Sequence, residues 1–129
     1  MKKQIASSGS AAPDARPSAK FRFRISIGDD IAIGPGKVAL LEAIGATGSI
    51  SAAAESLGMS YRRAWLLLDE MNRTLRSPVV DSARGGATRG GSEITPVGRQ
   101  LIETYRQIEE RAAETCAGDI KQLLSLIVR

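Results

Sequence analysis

The sequence contains no histidine and only one cysteine, Cys116, among its 129 residues. Histidine is the commonest general base and the commonest metal ligand, so its absence removes the usual catalytic and metal-binding arrangements. A single thiol excludes an internal disulfide framework and any site built from several thiolates. The sequence therefore predicts a protein that is not an enzyme and that has no metal site and no cofactor.

The sequence also lacks a long hydrophobic run. Lys2 and Lys3 are followed by Ser, Gly and Pro rather than by an apolar segment, which argues against a secretory signal or a membrane span. Residues 1–19 are mostly small or polar and cannot form a hydrophobic core. This composition predicts a disordered basic leader. We expect a cytoplasmic protein that does not interact with membranes.

Basic residues outnumber acidic ones by 18 to 14, giving a net charge of +4. This excess favours a polyanionic partner only weakly, because many basic proteins bind no nucleic acid. The distribution of the charge is more informative. Basic and acidic residues are equal in number from Val97 onwards, so the excess of positive charge lies earlier in the chain. Six of the basic residues fall within the first 24 positions: Lys2, Lys3, Arg16, Lys20, Arg22 and Arg24.

Hydrophobic periodicity predicts a mainly α-helical protein with a small amount of β-structure. FRFRISI, from Phe21, alternates as a half-buried strand does, and a short IAIG strand follows it. We expect Phe21, Phe23, Ile25 and Ile27 on its buried face. Arg22 and Arg24 would then be ordinary solvated charges.

Three helices are predicted next, and the last two form a helix-turn-helix. The first covers GKVALLEAIGATG, with Val38, Leu41 and Ile44 buried; the second runs from about Ser51 to a left-handed Gly58. Ser60 can cap the third helix. Its buried face would be Ala64, Leu68, Met71 and Leu75.

A β-hairpin wing and a long helix complete the predicted architecture. Two extended pieces, 79–81 and 92–95, flank a glycine-rich loop that carries Arg84 and Arg89. These arginines could contact phosphates or a minor groove, or the loop could simply be disordered in solvent. Thr95 and Pro96 start a long helix, and Gly118 is expected to break it before a final helix that carries Ile120, Leu123, Leu124 and Ile127.

The third helix carries the strongest indication of function. In a helix-turn-helix, the first residues of the second helix enter the major groove while later turns pack on the protein. Tyr61, Arg62 and Arg63 stand at this position, and arginine forks suit guanine edges and phosphates. The alternative is a solvated face. Trp65 is interpreted either as core packing or as a residue at the protein–DNA boundary.

The long helix after the wing has an apolar stripe formed by Val97, Leu101, Tyr105 and Ile108. The stripe could fold back on its own domain or form a dimer interface. We favour homodimerisation, because two groove helices one helical turn apart match a palindromic pair of half-sites. Residues 20–96 would then be the winged helix-turn-helix domain, and residues 97–129 the C-terminal dimerisation helices.

Several short motifs follow one another along the chain: GSIS at 48–51, SYRRAW at 60–65, EMN at 70–72, and RGGATRGG followed by ITPVGRQL. Together they resemble the N-terminal winged helix-turn-helix domain of the ModE family of molybdenum-dependent transcriptional regulators, with LysR-like element order. The resemblance covers about residues 21–116. It implies a dimeric repressor or activator of molybdenum-related genes that binds double-stranded DNA. It places Ser60, Tyr61, Arg62, Arg63 and Trp65 on the recognition helix, and Arg84 and Arg89 in the wing.

Two departures from the family pattern matter. Molybdate-sensing members carry an additional C-terminal oxyanion-binding portion, and this chain ends at Arg129, so we expect it to lack the molybdate-binding domain and not to bind molybdate. The wing has Ala87, Thr88 and Arg89 where the family has lysine among unbroken glycines. The alternative function is a protein-interaction module that forms heterodimers with another regulator and has no specific DNA binding of its own.

Overall fold

The computed structural model describes residues 16–82 and 91–127, with the Ser82 side chain omitted. These residues form five α-helices and two two-stranded antiparallel sheets. They divide into two compact units, Arg22–Arg111 and the segments 16–21 with 112–127. The elements are β1 (Ile25–Ile27), β2 (Asp30–Ile33), α1 (Pro35–Thr47), α2 (Ile50–Ser56), α3 (Tyr61–Thr74), β3 (Val80–Ser82), β4 (Ser92–Ile94), α4 (Pro96–Thr115) and α5 (Ala117–Leu124).

This order is that of a winged helix-turn-helix with an added N-terminal hairpin, as the sequence predicts. The core lies among α1, α2, α3 and the two wing strands. Burying each large aliphatic side chain contributes about 1.5–3 kcal/mol, so this cluster is the main source of stability. Its fully buried large side chains are Leu40, Leu41, Ile44, Leu68, Met71 and Val79. Val38 of α1 is also fully buried.

The ends of α1 and α2 are set by short-range backbone chemistry. Gly48 and Gly58 have φ of 75° and 70°, a left-handed conformation that glycine adopts without a steric penalty, so the predicted Gly58 turn is confirmed. Ser49 starts α2 one residue earlier than predicted, because its side chain accepts a hydrogen bond from the Ala52 N–H at 3.0 Å.

The N-terminal hairpin differs from the predicted half-buried strand. Ile25 and Ile27 are 48% and 56% exposed, so their predicted burial is wrong. Phe23 is partly buried and stacks on Tyr105, with ring centroids 4.3 Å apart. The register shifts between Ile25 and Ser26, and such an irregularity breaks the alternation of faces on which the prediction relied.

The start of α4 is as predicted, whereas its end is not. The Thr95 hydroxyl accepts a hydrogen bond from the Gly98 N–H at 3.0 Å, with Pro96 as the first helical residue. The break falls at Cys116, whose ψ of 9° departs from helical geometry. Gly118 lies inside α5, so the predicted break at Gly118 is wrong by two residues. None of the helices in the two described stretches is long and apolar enough to cross a membrane.

Candidate nucleic-acid interface

The first turn of α3 is fixed by its N-cap. The Ser60 hydroxyl accepts a hydrogen bond from the Arg63 N–H at 3.0 Å, which satisfies one of the amides that a helix start leaves unpaired. Ser60 itself is extended, with φ −73° and ψ 158°. Tyr61 is therefore the first helical residue, and the predicted cap is confirmed.

The two sides of α3 have opposite character. Ala64, Leu68 and Met71 are at most 1% exposed and face the core. Tyr61 is 54% exposed and Trp65 is 40% exposed, and their rings meet edge to face with centroids 6.3 Å apart. Trp65 is therefore not a core residue. The sequence SYRRAW thus presents an aromatic pair to solvent over the opening turns of the helix.

The two arginines of this turn are exposed and have no acidic partner. Neither Arg62 nor Arg63 forms an ion pair with any residue in the described part of the chain. Arg73, near the other end of α3, does form one, with Asp69 at 3.1 Å. The guanidinium groups at the start of α3 are therefore available to bind an anion, unlike the one near its end.

Two polar contacts that the sequence analysis missed hold α3 in place. The buried Lys37 ammonium donates to the Ile31 carbonyl oxygen and pairs with Glu70 at 3.0 Å. The Asn72 side-chain oxygen accepts a hydrogen bond from the Val79 N–H at 3.0 Å. The polar residues of the EMN motif thus link α3 to β2, α1 and the segment before β3. No periodicity rule identifies such contacts, because each depends on a residue distant in sequence.

The base of the wing is anchored to the end of α1. β3 pairs antiparallel with β4 in the register Val80 to Ile94, Asp81 to Glu93 and Ser82 to Ser92. The Ser92 N–H donates to the Gly48 carbonyl oxygen at 3.0 Å. The predicted contact residues Arg84 and Arg89 lie outside the described residues.

The four residues predicted for dimerisation line one groove of about 480 Å³, together with Phe23, Ile25, Ile33 and Leu75. Val97 and Ile108 are 38% and 44% exposed, Leu101 is partly buried, and Tyr105 is buried. The hydroxyl of Tyr105 donates to the Phe23 carbonyl oxygen at 2.8 Å. Burial, with the negative charge of Glu109, raises the pKa of this hydroxyl. Tyr105 therefore packs within its own chain, and the other three remain accessible from the groove.

An ion pair fastens α4 to α1 next to this groove. The Arg106 guanidinium donates to both carboxylate oxygens of Glu42, at 2.6 and 2.8 Å, and also to Glu109 at 2.7 Å. These hydrogen bonds lower the pKa of Glu42 and raise that of Arg106. Within the two described stretches, no three Cys, Asp, Glu or His residues are grouped so that they could hold a metal ion.

Curated relatives of this chain are molybdenum-related proteins. It is 47% identical over 91 residues to the molybdenum-pterin-binding protein MopB of Rhodobacter capsulatus, covering 70% of this chain and 34% of that protein. It is 34% identical over 121 residues to the molybdenum transport protein ModE of Azotobacter vinelandii, covering 84% and 45%. It is 35% identical over 102 residues to the DNA-binding transcriptional dual regulator ModE of Escherichia coli, covering 74% and 39%. The chain therefore spans less than half the length of these relatives. No family model matches it.

A solved structure shares the fold. The chain aligns with a TM-score of 0.52 and 21% identity to a chain in the crystal structure of a CbnR_DBD–DNA complex, covering 70% of this chain and 95% of that one. At this identity the likeness concerns the fold alone, and it agrees with the winged helix-turn-helix arrangement of α1 to β4.

Proposed function

We propose that this chain, whose curated homologues are the molybdenum-related ModE, MopA and MopB proteins, is a transcriptional regulator that binds specific sequences in duplex DNA and not an enzyme. One observation carries the proposal: α3 has a fully buried rear face, and at its opening turn an exposed aromatic pair beside two unpaired arginines. If this side of α3 only faced solvent, two large exposed aromatic rings at this position would have no explanation.

The geometry of α3 suits entry into the major groove. That groove is about 12 Å wide and accepts one helix, whose N-terminal residues reach the base edges. Arg62 and Arg63 supply forked donors for guanine edges or phosphates, and the Tyr61 hydroxyl supplies a shorter-range donor. Ser60 holds the turn in place while its own hydroxyl proton remains free to donate. Trp65 lies one turn further along and would contact the border of the groove.

The same proposal includes a homodimer that binds palindromic DNA. A two-fold interface uses the same patch on both partners. That patch must fit against itself, so it needs both exposed apolar side chains and apolar surface that can receive them. The α4 groove has both: Val97 and Ile108 are exposed, Leu101 is partly buried and Tyr105 is buried. Paired chains would present two α3 helices to half-sites about one helical turn, or 34–36 Å, apart.

DNA binding is tested by selecting bound fragments from a random pool and then measuring fluorescence anisotropy against salt concentration. Affinity should fall steeply with salt, by about 0.9 in log–log slope for each neutralised phosphate. Arg62→Ala should lose about 1–3 kcal/mol and relax the preference at one base position. Arg73→Ala removes the same charge from the far end of α3, so it serves as the matched control. A salt-independent affinity, or equal losses in the two variants, would contradict the proposal.

Dimerisation is tested by sedimentation equilibrium of the wild type and of Ile108→Glu. The new carboxylate would lie in the apolar groove, so this variant should be monomeric. Gln107→Glu places the same charge on the neighbouring exposed position and should remain a dimer. A wild type that is monomeric and binds no selected DNA would instead favour the interaction module that pairs with another regulator. We further propose that DNA binding by this chain requires no molybdate, so added molybdate should leave the anisotropy curve unchanged.

A further inference from the structure

A second cavity, of about 450 Å³, lies beside the opening turn of α3 and brings together basic residues distant in sequence. Met59 and Arg63 line it from the start of α3, and Lys37 lines it from α1. Arg22 and Arg24 line it from the segment before β1. From the sequence alone these two arginines are predicted to be ordinary solvated charges. The structure instead places them on the same cavity as a predicted DNA-contacting residue.

The charges of this cavity do not cancel one another. Lys37 and Glu70 pair, which leaves three arginines and two aspartates, Asp29 in the hairpin turn and Asp30 at the start of β2. No ion pair within the described residues involves Arg22, Arg24 or Arg63. We call these three residues the arginine cluster. Its guanidinium groups are exposed and unpaired, so an external anion can bind them.

The position of Arg24 is fixed by its aliphatic stem. A Cβ atom placed on Gly34 would lie 3.4 Å from Cγ of Arg24, so the stem packs over the bare backbone at that residue. Gly34 is also the N-cap of α1, and no side chain caps that helix. The stem therefore holds the Arg24 guanidinium on the same side as the start of α1, where the helix dipole also favours an anion.

We propose that Arg22 and Arg24 bind backbone phosphates of the DNA strand that borders the groove entered by α3, so that the segment before β1 extends the binding surface. This inference rests on the proposed DNA-binding function. A helix seated in the major groove has a phosphate backbone on each side. Arg63 of α3 lines the same cavity as Arg22 and Arg24, so these two arginines would lie beside one of those backbones when α3 is in the groove. Phosphate contacts of this kind set orientation and strength and do not read sequence.

The test measures the salt dependence of binding to a random-sequence 30-base-pair duplex and to the selected operator. Arg22→Ala/Arg24→Ala should lower the log–log salt slope by about 1–2 on both duplexes. If each arginine neutralises one phosphate, affinity at 0.15 M salt falls roughly thirty-fold on both duplexes, with the base preference unchanged. Arg22→Lys/Arg24→Lys keeps the charge and should recover most of the slope. Asp29→Asn/Asp30→Asn removes the opposing charges and should tighten binding to both duplexes.

The matched control is Arg111→Ala/Lys121→Ala, which removes the same charge from exposed positions outside this cavity. If the wild type binds neither duplex at low salt, the proposed function itself fails. If the wild type binds but Arg22→Ala/Arg24→Ala equals this control in slope, the proposed phosphate contact of these two arginines is wrong and DNA binding by α3 stands. A loss confined to the operator would also overturn the inference, because it would indicate base readout. Circular dichroism of each variant confirms that the fold is retained.

Discussion

Replacing Gly98 with alanine should destabilise the protein, although alanine is normally the better residue in a helix. A methyl group at this position would overlap the Val79 carbonyl oxygen and lie 2.9 Å from Cγ2 of Ile94. The carbonyl cannot easily withdraw, because it accepts the Thr95 N–H at 3.0 Å. Overpacking costs about 1–3 kcal/mol, and weakening that hydrogen bond costs about 1 kcal/mol more. The gain in helix propensity returns at most about 1 kcal/mol, so a net loss of about 1–3 kcal/mol is expected.

Gly118→Ala is the matched control for this substitution. Gly118 also lies in the first turn of a helix, but a methyl group there meets no atom within 4 Å. This variant should be unchanged or up to about 1 kcal/mol more stable. Urea denaturation followed by circular dichroism at 222 nm measures both free energies of unfolding. Equal stabilities of the two variants, or a more stable Gly98→Ala, would show that α4 does not pack against Val79 as closely as described.

Two further predictions concern the contacts that hold α4 to its domain. Tyr105→Phe keeps the ring stacked on Phe23 but removes its hydrogen bond to the carbonyl oxygen, so denaturation should show a loss of about 0.5–1.5 kcal/mol; an unchanged midpoint would contradict it. Because the Glu42 pKa is lowered in the folded state, its contribution is present above the unfolded-state pKa of about 4.3 and is lost as the pH falls through the lower folded-state pKa. The wild type should therefore lose more stability than Glu42→Gln on acidification from about pH 5 to 3, and parallel curves would refute this.

Local patterns predicted the elements on which the candidate site is built. Ser60, Gly58 and Thr95 act through neighbours within a few residues, so their caps and turns could be predicted from sequence. The buried face of α3 follows from helical spacing, although Leu75 at its end is only partly buried. Predictions of this kind succeed because the interacting residues lie within the few sequence positions that the pattern itself covers.

Features that depend on distant residues were missed or misjudged. The burial expected for Ile25 and Ile27 required an unbroken alternation, and the register shift in the hairpin removes it. The grouping of Arg22 and Arg24 with Arg63 joins positions about forty residues apart. A periodic sequence pattern relates only residues that are a few positions apart. Arg22 and Arg24 could therefore be assigned to this surface only once the fold was known.

A single buried residue, Val79, links the helix proposed to enter DNA with the helix proposed to form the dimer. Its N–H donates to Asn72 at the end of α3, and its carbonyl oxygen accepts the Thr95 N–H at the start of α4. Gly98 of α4 lies directly against that same carbonyl oxygen, with no side chain between them. The peptide segment at Val79 therefore contacts both α3 and α4. Because Val79 is fully buried, the loss of either partner would leave one of its backbone groups without water to replace the hydrogen bond. In a dimer formed through the α4 groove, the separation of the two α3 helices would therefore depend on this link, together with the Arg106–Glu42 ion pair that holds α4 to α1.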